Sequence, residues 1–236
     1  MGDVVAHAPQ SHANQAMAAA RHREDVVVGD EIVRHRYASR IIHWSVAGSF
    51  LFCLLTGMPI WTPILGWMAH LFGGLSVCRW LHPWLGLAFF ASSTVMFVHW
   101  AKEMVLKGRE KQWLGPKMIV EYFKFGSDDP TVGKYNGGQK LLFWVTSLGA
   151  VGLVVSGLVL WYPLLVPPVV REIGIVLHDV TFIAFAVAII GHVYLGTAAE
   201  PGTFRAMTRG TVTRPWAKLH HPAWYREVTG DAGQRK

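Results

Sequence analysis

Four windows of this 236-residue chain are long and apolar enough to cross a bilayer, and they restrict the fold more than any other feature. They cover about residues 41–60, 81–100, 141–161 and 173–199. At a helical rise of ~1.5 Å per residue, each spans the ~30 Å of hydrocarbon. The first three contain no Asp, Glu, Lys or Arg, and the fourth contains only Asp179. Hydrocarbon offers no partner for backbone N–H and C=O groups, so spans of this length must be helices. A soluble core of buried helices would show a polar face on most of them, and these windows show almost none. The sequence predicts an all-α membrane protein, a four-transmembrane-helix bundle.

The basic residues set the expected orientation. Arg21, Arg23, Arg34, Arg36 and Arg40 precede the first span; eight Lys or Arg, from Lys102 to Lys140, lie between the second and third; seven follow the fourth. The other two connections hold one each, Arg79 and Arg171. Positive charge marks the cytoplasmic side, which predicts a multi-pass membrane protein with both termini and the middle loop inside. The net charge of +7 is then a topology signal, and without an aromatic-basic binding module it argues against a nucleic-acid partner. Tryptophans collect at span ends, as interfacial belts require. Residues 1–30 lack the long apolar core of a secretory signal and read as a flexible extension that could dock on a partner. Residues 31–200 read as the membrane domain and residues 201–236 as a cytoplasmic tail. The two cysteines, Cys53 and Cys78, lie at different depths and no CxxCH occurs, so neither a disulfide nor covalent haem attachment is expected.

Four of the twelve histidines lie within the spans in a depth-matched pattern. His43 opens span one at the inner face and His82 opens span two at the outer face. His178 and His192 both belong to span four. They are fourteen residues apart, about 21 Å along the helix and rotated by only about 40°. Ionisable side chains at membrane depth are costly and read as functional. Pairings that join opposite faces, or two histidines of one helix, fail on geometry. His82 with His178 and His43 with His192 remain. Two imidazoles facing each other across a bundle suit the iron of a porphyrin, so the pattern predicts two b-type haems, one near each face. Gly48, Gly57, Gly86, Gly152 and Gly157 would let a macrocycle approach the backbones. His99, at the inner end of span two, lies about 100° round the helix from His82 and is expected to face elsewhere. His7, His12, His22, His35, His70, His220 and His221 fall outside the membrane. Asp179 cannot share the face of its neighbour His178 and reads as an outer-interface carboxylate. Pro83 is placed in the first turn of span two, where its missing N–H costs little.

The segments RIIHW, RWLHPWLGLAFF, VGKYNGGQKLLFW, LVVSGLVLWYP, VLHDV, GHVYLG and RPWAKLHHPAWYRE, with their spacing, resemble one family. It is the gamma subunit, a di-haem cytochrome b, of respiratory membrane-bound formate dehydrogenases. The resemblance covers about residues 31–229. It implies two haem b groups, with His82 and His178 on the outer iron and His43 and His192 on the inner one. It also implies a quinone, menaquinone or ubiquinone, reduced beside the inner haem. Its pocket would be formed by Asn136, Gly137 and Gly138, with Gln139 adjacent and His192 at its border. The implied partners are an iron–sulfur beta subunit and a molybdopterin or tungstopterin alpha subunit that oxidises formate. From spacing alone, KYNGGQK is equally a turn and helix start built from Asn and Gly. Two other functions fit the residues. One is a di-haem cytochrome b serving another quinone-linked dehydrogenase, of hydrogenase or thiosulfate reductase type, or standing alone. The other is a haem-free transporter with histidine proton relays.

Overall fold

A computed structural model describes residues 8–108, 111 and 130–231. His7, Arg109, Lys117, Lys124, Arg235 and Lys236 from the sequence reading lie outside the described residues. Four helices are long and apolar enough to cross a membrane. They are α2 (Tyr37–Trp61), α3 (Leu75–Trp100), α4 (Gly137–Trp161) and α5 (Pro168–Tyr194). A π-helical turn, Leu195–Ala199, extends α5. Every one begins before its apolar window. Arg40, Arg79 and Arg171 lie within opening turns, where long side chains can carry their charges out to water, whereas Lys140 in the first turn of α4 is buried and donates to the Val105 carbonyl at 3.3 Å.

The chain divides into two compact units. The first, Ile42–Lys102 with Leu142–Ile190, holds most of the membrane helices. Its core takes one residue from each helix: Phe50 of α2, Phe89 of α3, Ala150 of α4 and Phe185 of α5. The three rings contact one another, with centroids 4.6–5.6 Å apart. Such offset and edge-on packing adds to the burial of the rings themselves.

Pro83 corrects an expectation. Gly73 and Gly74 have φ of +89° and +117°, and they end the preceding 3₁₀ helix, Pro63–Phe72. With the turn made there, α3 starts at Leu75 and Pro83 lies inside it. Its ring removes the hydrogen bond that would reach the Arg79 carbonyl, one turn earlier.

The second unit gathers the described parts of residues 1–41, 103–141 and 191–236. Of residues 1–30, read as a flexible extension, residues 8–30 are described. They carry helix α1 (Ala8–Ala19), with Ala16 and Ala20 fully buried, and strand β1 (Val26–Val28). Strand β1 pairs antiparallel with β2 (Glu31–Val33) through a two-residue turn in which Gly29 takes φ +58°. A side chain at Gly29 would meet His12 of α1. Strand β3 (Thr211–Thr213) completes the sheet on the other side of β2. The tail forms α6 (Arg205–Thr208), α7 (Arg214–His220) and α8 (Pro222–Thr229). Ile32, Val212, Trp216 and Trp224 join in one apolar core.

Candidate functional site

The structure brings His82 of α3 and His178 of α5 together edge-on, with ring centres 6.3 Å apart and planes at 74°. Their hydrogen-bond partners set which nitrogen of each ring carries the proton. His82 Nδ1 lies 3.0 Å from the carbonyl oxygen of Cys53 and 3.3 Å from Thr56 Oγ1. A carbonyl only accepts, so this nitrogen carries the proton. His178 Nδ1 lies 2.9 Å from Ser156 Oγ, whose own hydrogen is given to the Gly152 carbonyl at 2.6 Å. Ser156 therefore accepts, and His178 Nδ1 is protonated too. Both rings are left with an unprotonated Nε2, the form in which imidazole binds a metal.

Spacing provides a second test of fit. A metal–imidazole bond of about 2 Å places the ring centre about 3 Å from the metal, so two axial imidazoles have centres about 6 Å apart. The observed separation matches one metal held between them. Glycine flanks each ring. A Cβ built on Gly57 of α2 would lie 2.9 Å from His82 Cε1, and one on Gly157 of α4 would lie 3.5 Å from His178 Cε1. Of the other glycines read as haem-facing, Gly152 packs against Thr181, Gly86 approaches only Cys53 Sγ at 4.0 Å, and Gly48 has nothing within 4 Å. No cluster of three or more His, Cys, Asp or Glu suited to a metal ion occurs among the described residues.

His43 sits half-buried on α2, edge-on to Trp44 at 5.2 Å, and His192 sits half-buried near the end of α5. They fall in different units, and their pairing remains the depth argument of the sequence.

Asn136 and Gln139 meet in a reciprocal pair. Gln139 N–H donates to Asn136 Oδ1 at 2.9 Å, and Asn136 N–H donates to Gln139 Oε1 at 3.0 Å. This is a capping box at the start of α4, with Asn136 as the cap and Gln139 three residues on. Gly137 and Gly138 are buried in the first turn. The chain before Asn136 is gripped carbonyl by carbonyl. Arg226 donates to Pro130 O, Ala223 N–H to Val132 O at 2.9 Å, His221 Nδ1 to Gly133 O at 2.8 Å, and Arg34 to Lys134 O. Lys134 bridges Glu24 at 2.9 Å and Asp25 at 3.1 Å.

Arg34 itself is buried, its guanidinium 5.7, 5.1 and 5.0 Å from the ring centres of Tyr135, Trp216 and Trp224. Burial lowers its pKa to about 10, against the pull of Tyr135, Asp25 and Glu24, so it stays charged. Glu24 is shifted down: burial opposes ionisation, but Ser39, Lys134 and the Arg36 N–H outweigh it. Burial, reinforced by the charge of Arg34, holds His221 well below the ordinary histidine value and therefore neutral.

Sequence reasoning missed Thr56, Ser156 and the carbonyl of Cys53 as partners of His82 and His178. The hydroxyls had a signal, since each is a polar residue in an apolar helix at the depth of those histidines. The carbonyl had none.

A membrane bundle of four helices that turns two ligation-ready imidazoles toward each other defines a membrane cytochrome b. Residues 34–210 match the prokaryotic cytochrome b561 family, and the chain belongs to that family. It is 35% identical over 204 residues to the formate dehydrogenase cytochrome b556(fdo) subunit of Escherichia coli strain K12, covering 84% of this chain and 94% of that one. The nitrate-inducible formate dehydrogenase cytochrome b556(Fdn) subunit of the same strain is 35% identical over 202 residues, 84% of this chain and 91% of its own. The formate dehydrogenase cytochrome b556 subunit of Haemophilus influenzae is 34% identical over 203 residues, 83% of each chain.

Proposed function

We propose that this chain is the cytochrome b subunit of a membrane-bound formate dehydrogenase. It takes electrons from an iron–sulfur subunit at its outer end and delivers them to a quinone at the cytoplasmic face. The formate is oxidised in a separate molybdopterin or tungstopterin subunit. The observation that carries the reading is the His82–His178 pair, with both Nδ1 atoms engaged and both Nε2 atoms free to bind. The relatives supply the dehydrogenase context.

In this reading two haem b groups are held within residues 31–200, one by His82 and His178, the other by His43 and His192. Haem iron supplies a one-electron couple at each site. The chain's own residues do the rest. Cys53, Thr56 and Ser156 fix the tautomer and direction of the outer rings. At the quinone end Asn136 uses its side-chain oxygen for the cap, which leaves its amide N–H₂ to donate to a quinone oxygen. Gly137, Gly138 and Gln139 line the approach, with His192 at the border. Two protons are consumed per quinone, and the basic end of the bundle gives them a route from cytoplasmic water. Oxidation outside and reduction inside then separate charge without a pump.

Purification of the chain with its native partners tests this directly. Formate-dependent quinone reduction in a complex containing an iron–sulfur subunit is the expected result. An active chain with no such partner, or partners that oxidise hydrogen, would replace formate dehydrogenase with another respiratory assignment.

A further inference from the structure

In the second unit Lys134 faces Glu24 and Asp25, and Arg205 faces Glu31. Another group of cations gathers around a cavity. Arg21 of the segment after α1, Arg40 in the first turn of α2 and Arg209 after α6 line a cavity of about 320 Å³ with Met17, Ala18, Tyr37 and Thr208. No carboxylate lines it, and among the described residues none of the three arginines makes an ion pair. Arg40 is anchored: it donates to the Thr208 carbonyl at 2.8 Å, and its guanidinium lies 5.5 Å from the Tyr37 ring centre. Its Nε is shut off from solvent with no hydrogen-bond partner. Three converging guanidiniums repel one another unless an anion sits among them, and arginine forks match phosphate oxygens.

We propose that this cavity binds a phosphate group, supplied by the headgroup of an anionic phospholipid. A lipid is favoured over a free anion by position. Tyr37 and Arg40 open the first membrane helix, so the cavity lies where hydrocarbon begins. Met17 and Ala18 give it an apolar wall. Tyr37 and Ile41, 55% and 46% exposed, continue an apolar surface down the helix for an acyl chain. The N-terminal segment supplies Arg21 and Met17, so it would bind lipid at this membrane edge.

The test is native mass spectrometry of the full haem-containing chain in detergent, titrated with dioleoylphosphatidylglycerol, dioleoylphosphatidylcholine or inorganic phosphate. Each cation near a lipid surface contributes enough that removing two should cost roughly tenfold or more. The wild type should prefer phosphatidylglycerol by roughly that factor. The double variant Arg21→Gln/Arg209→Gln, which alters only exposed side chains, should lose the preference, and Arg171→Gln at the opposite end should keep it. Equal binding of the two lipids to the wild type, or an undiminished preference in the double variant, overturns the proposal. So does displacement of phosphatidylglycerol by inorganic phosphate, which would make the site one for free anions.

Discussion

At the scale of single residues, the His82–His178 site is specified by what touches Nδ1 rather than by the histidines alone. Ser156 is the clearest case, because its own proton is committed to the Gly152 carbonyl and it must accept from His178. Ser156→Ala should weaken retention of the haem proposed at His82 and His178 by roughly 10–100-fold, the usual cost of losing such a partner, and leave the spectrum of the one proposed at His43 and His192 unchanged. Gly57→Ala should act on the same site from the other side, since its methyl would press on His82. At Asn136 the cap and the proposed quinone contact separate cleanly. Asn136→Asp keeps an oxygen for the cap and loses the amide donor, so it should raise the KM for quinone several-fold without destabilising α4. Asn136→Ala should add a loss of about 1 kcal/mol from the helix start. Equal quinone kinetics in wild type and Asn136→Asp would leave Asn136 a cap and nothing more. The histidines were legible in the sequence because an ionisable group in hydrocarbon is conspicuous. The capping role of Asn136 was half legible, as one of two readings of KYNGGQK. The acceptor carbonyl of Cys53 was not, because every residue has one.

At the scale of elements, apolar windows located the four spans but not their beginnings. A helix starts where its backbone is capped or turned, and Arg40, Arg79 and Arg171 can ride inside it with their charges outside the hydrocarbon. That is why Pro83 falls mid-helix. The three-residue strands and the short tail helices were invisible for a different reason. They are held by contacts between segments far apart in sequence, and no local period announces them. The tail RPWAKLHHPAWYRE packs back onto residues 130–133 of its own chain. His221 makes this contact pH-dependent. Arg34 and His220 face it, and burial depresses both histidines, His220 against the pull of Glu200. A histidine with a depressed folded-state pKa binds fewer protons than it does in the unfolded chain. Stability is then fully present above about pH 6.5 and falls as pH drops toward the depressed value. The protection factor of the Ala223 amide, its exchange rate relative to the intrinsic rate at each pH, should fall as pH drops over that window, and His221→Gln, which keeps a donor for Gly133, should flatten the response. A protection factor that rises on acidification would contradict it.

At the scale of the whole molecule, one sequence register relates the histidines to the core. Phe50 follows His43 by seven residues, Phe89 follows His82 by seven, and Phe185 stands seven from both His178 and His192. Two helical turns, about 10 Å, therefore separate the aromatic core layer from each histidine along its own helix. Seven residues from that layer, Gly57 and Gly157 flank the imidazoles of His82 and His178. Fold class followed from apolar length, and membership of the cytochrome b561 family agrees with it. Formate was not readable from this chain's own residues; it rests on the names of the relatives, which are formate dehydrogenase cytochrome b subunits. The central claim is that two imidazole pairs hold two haems. Pyridine haemochrome quantitation of the purified chain tests it most directly. Two haem b per chain in the wild type and one in His178→Ala are expected; no haem b in the wild type, or an undiminished content in His178→Ala, would contradict it.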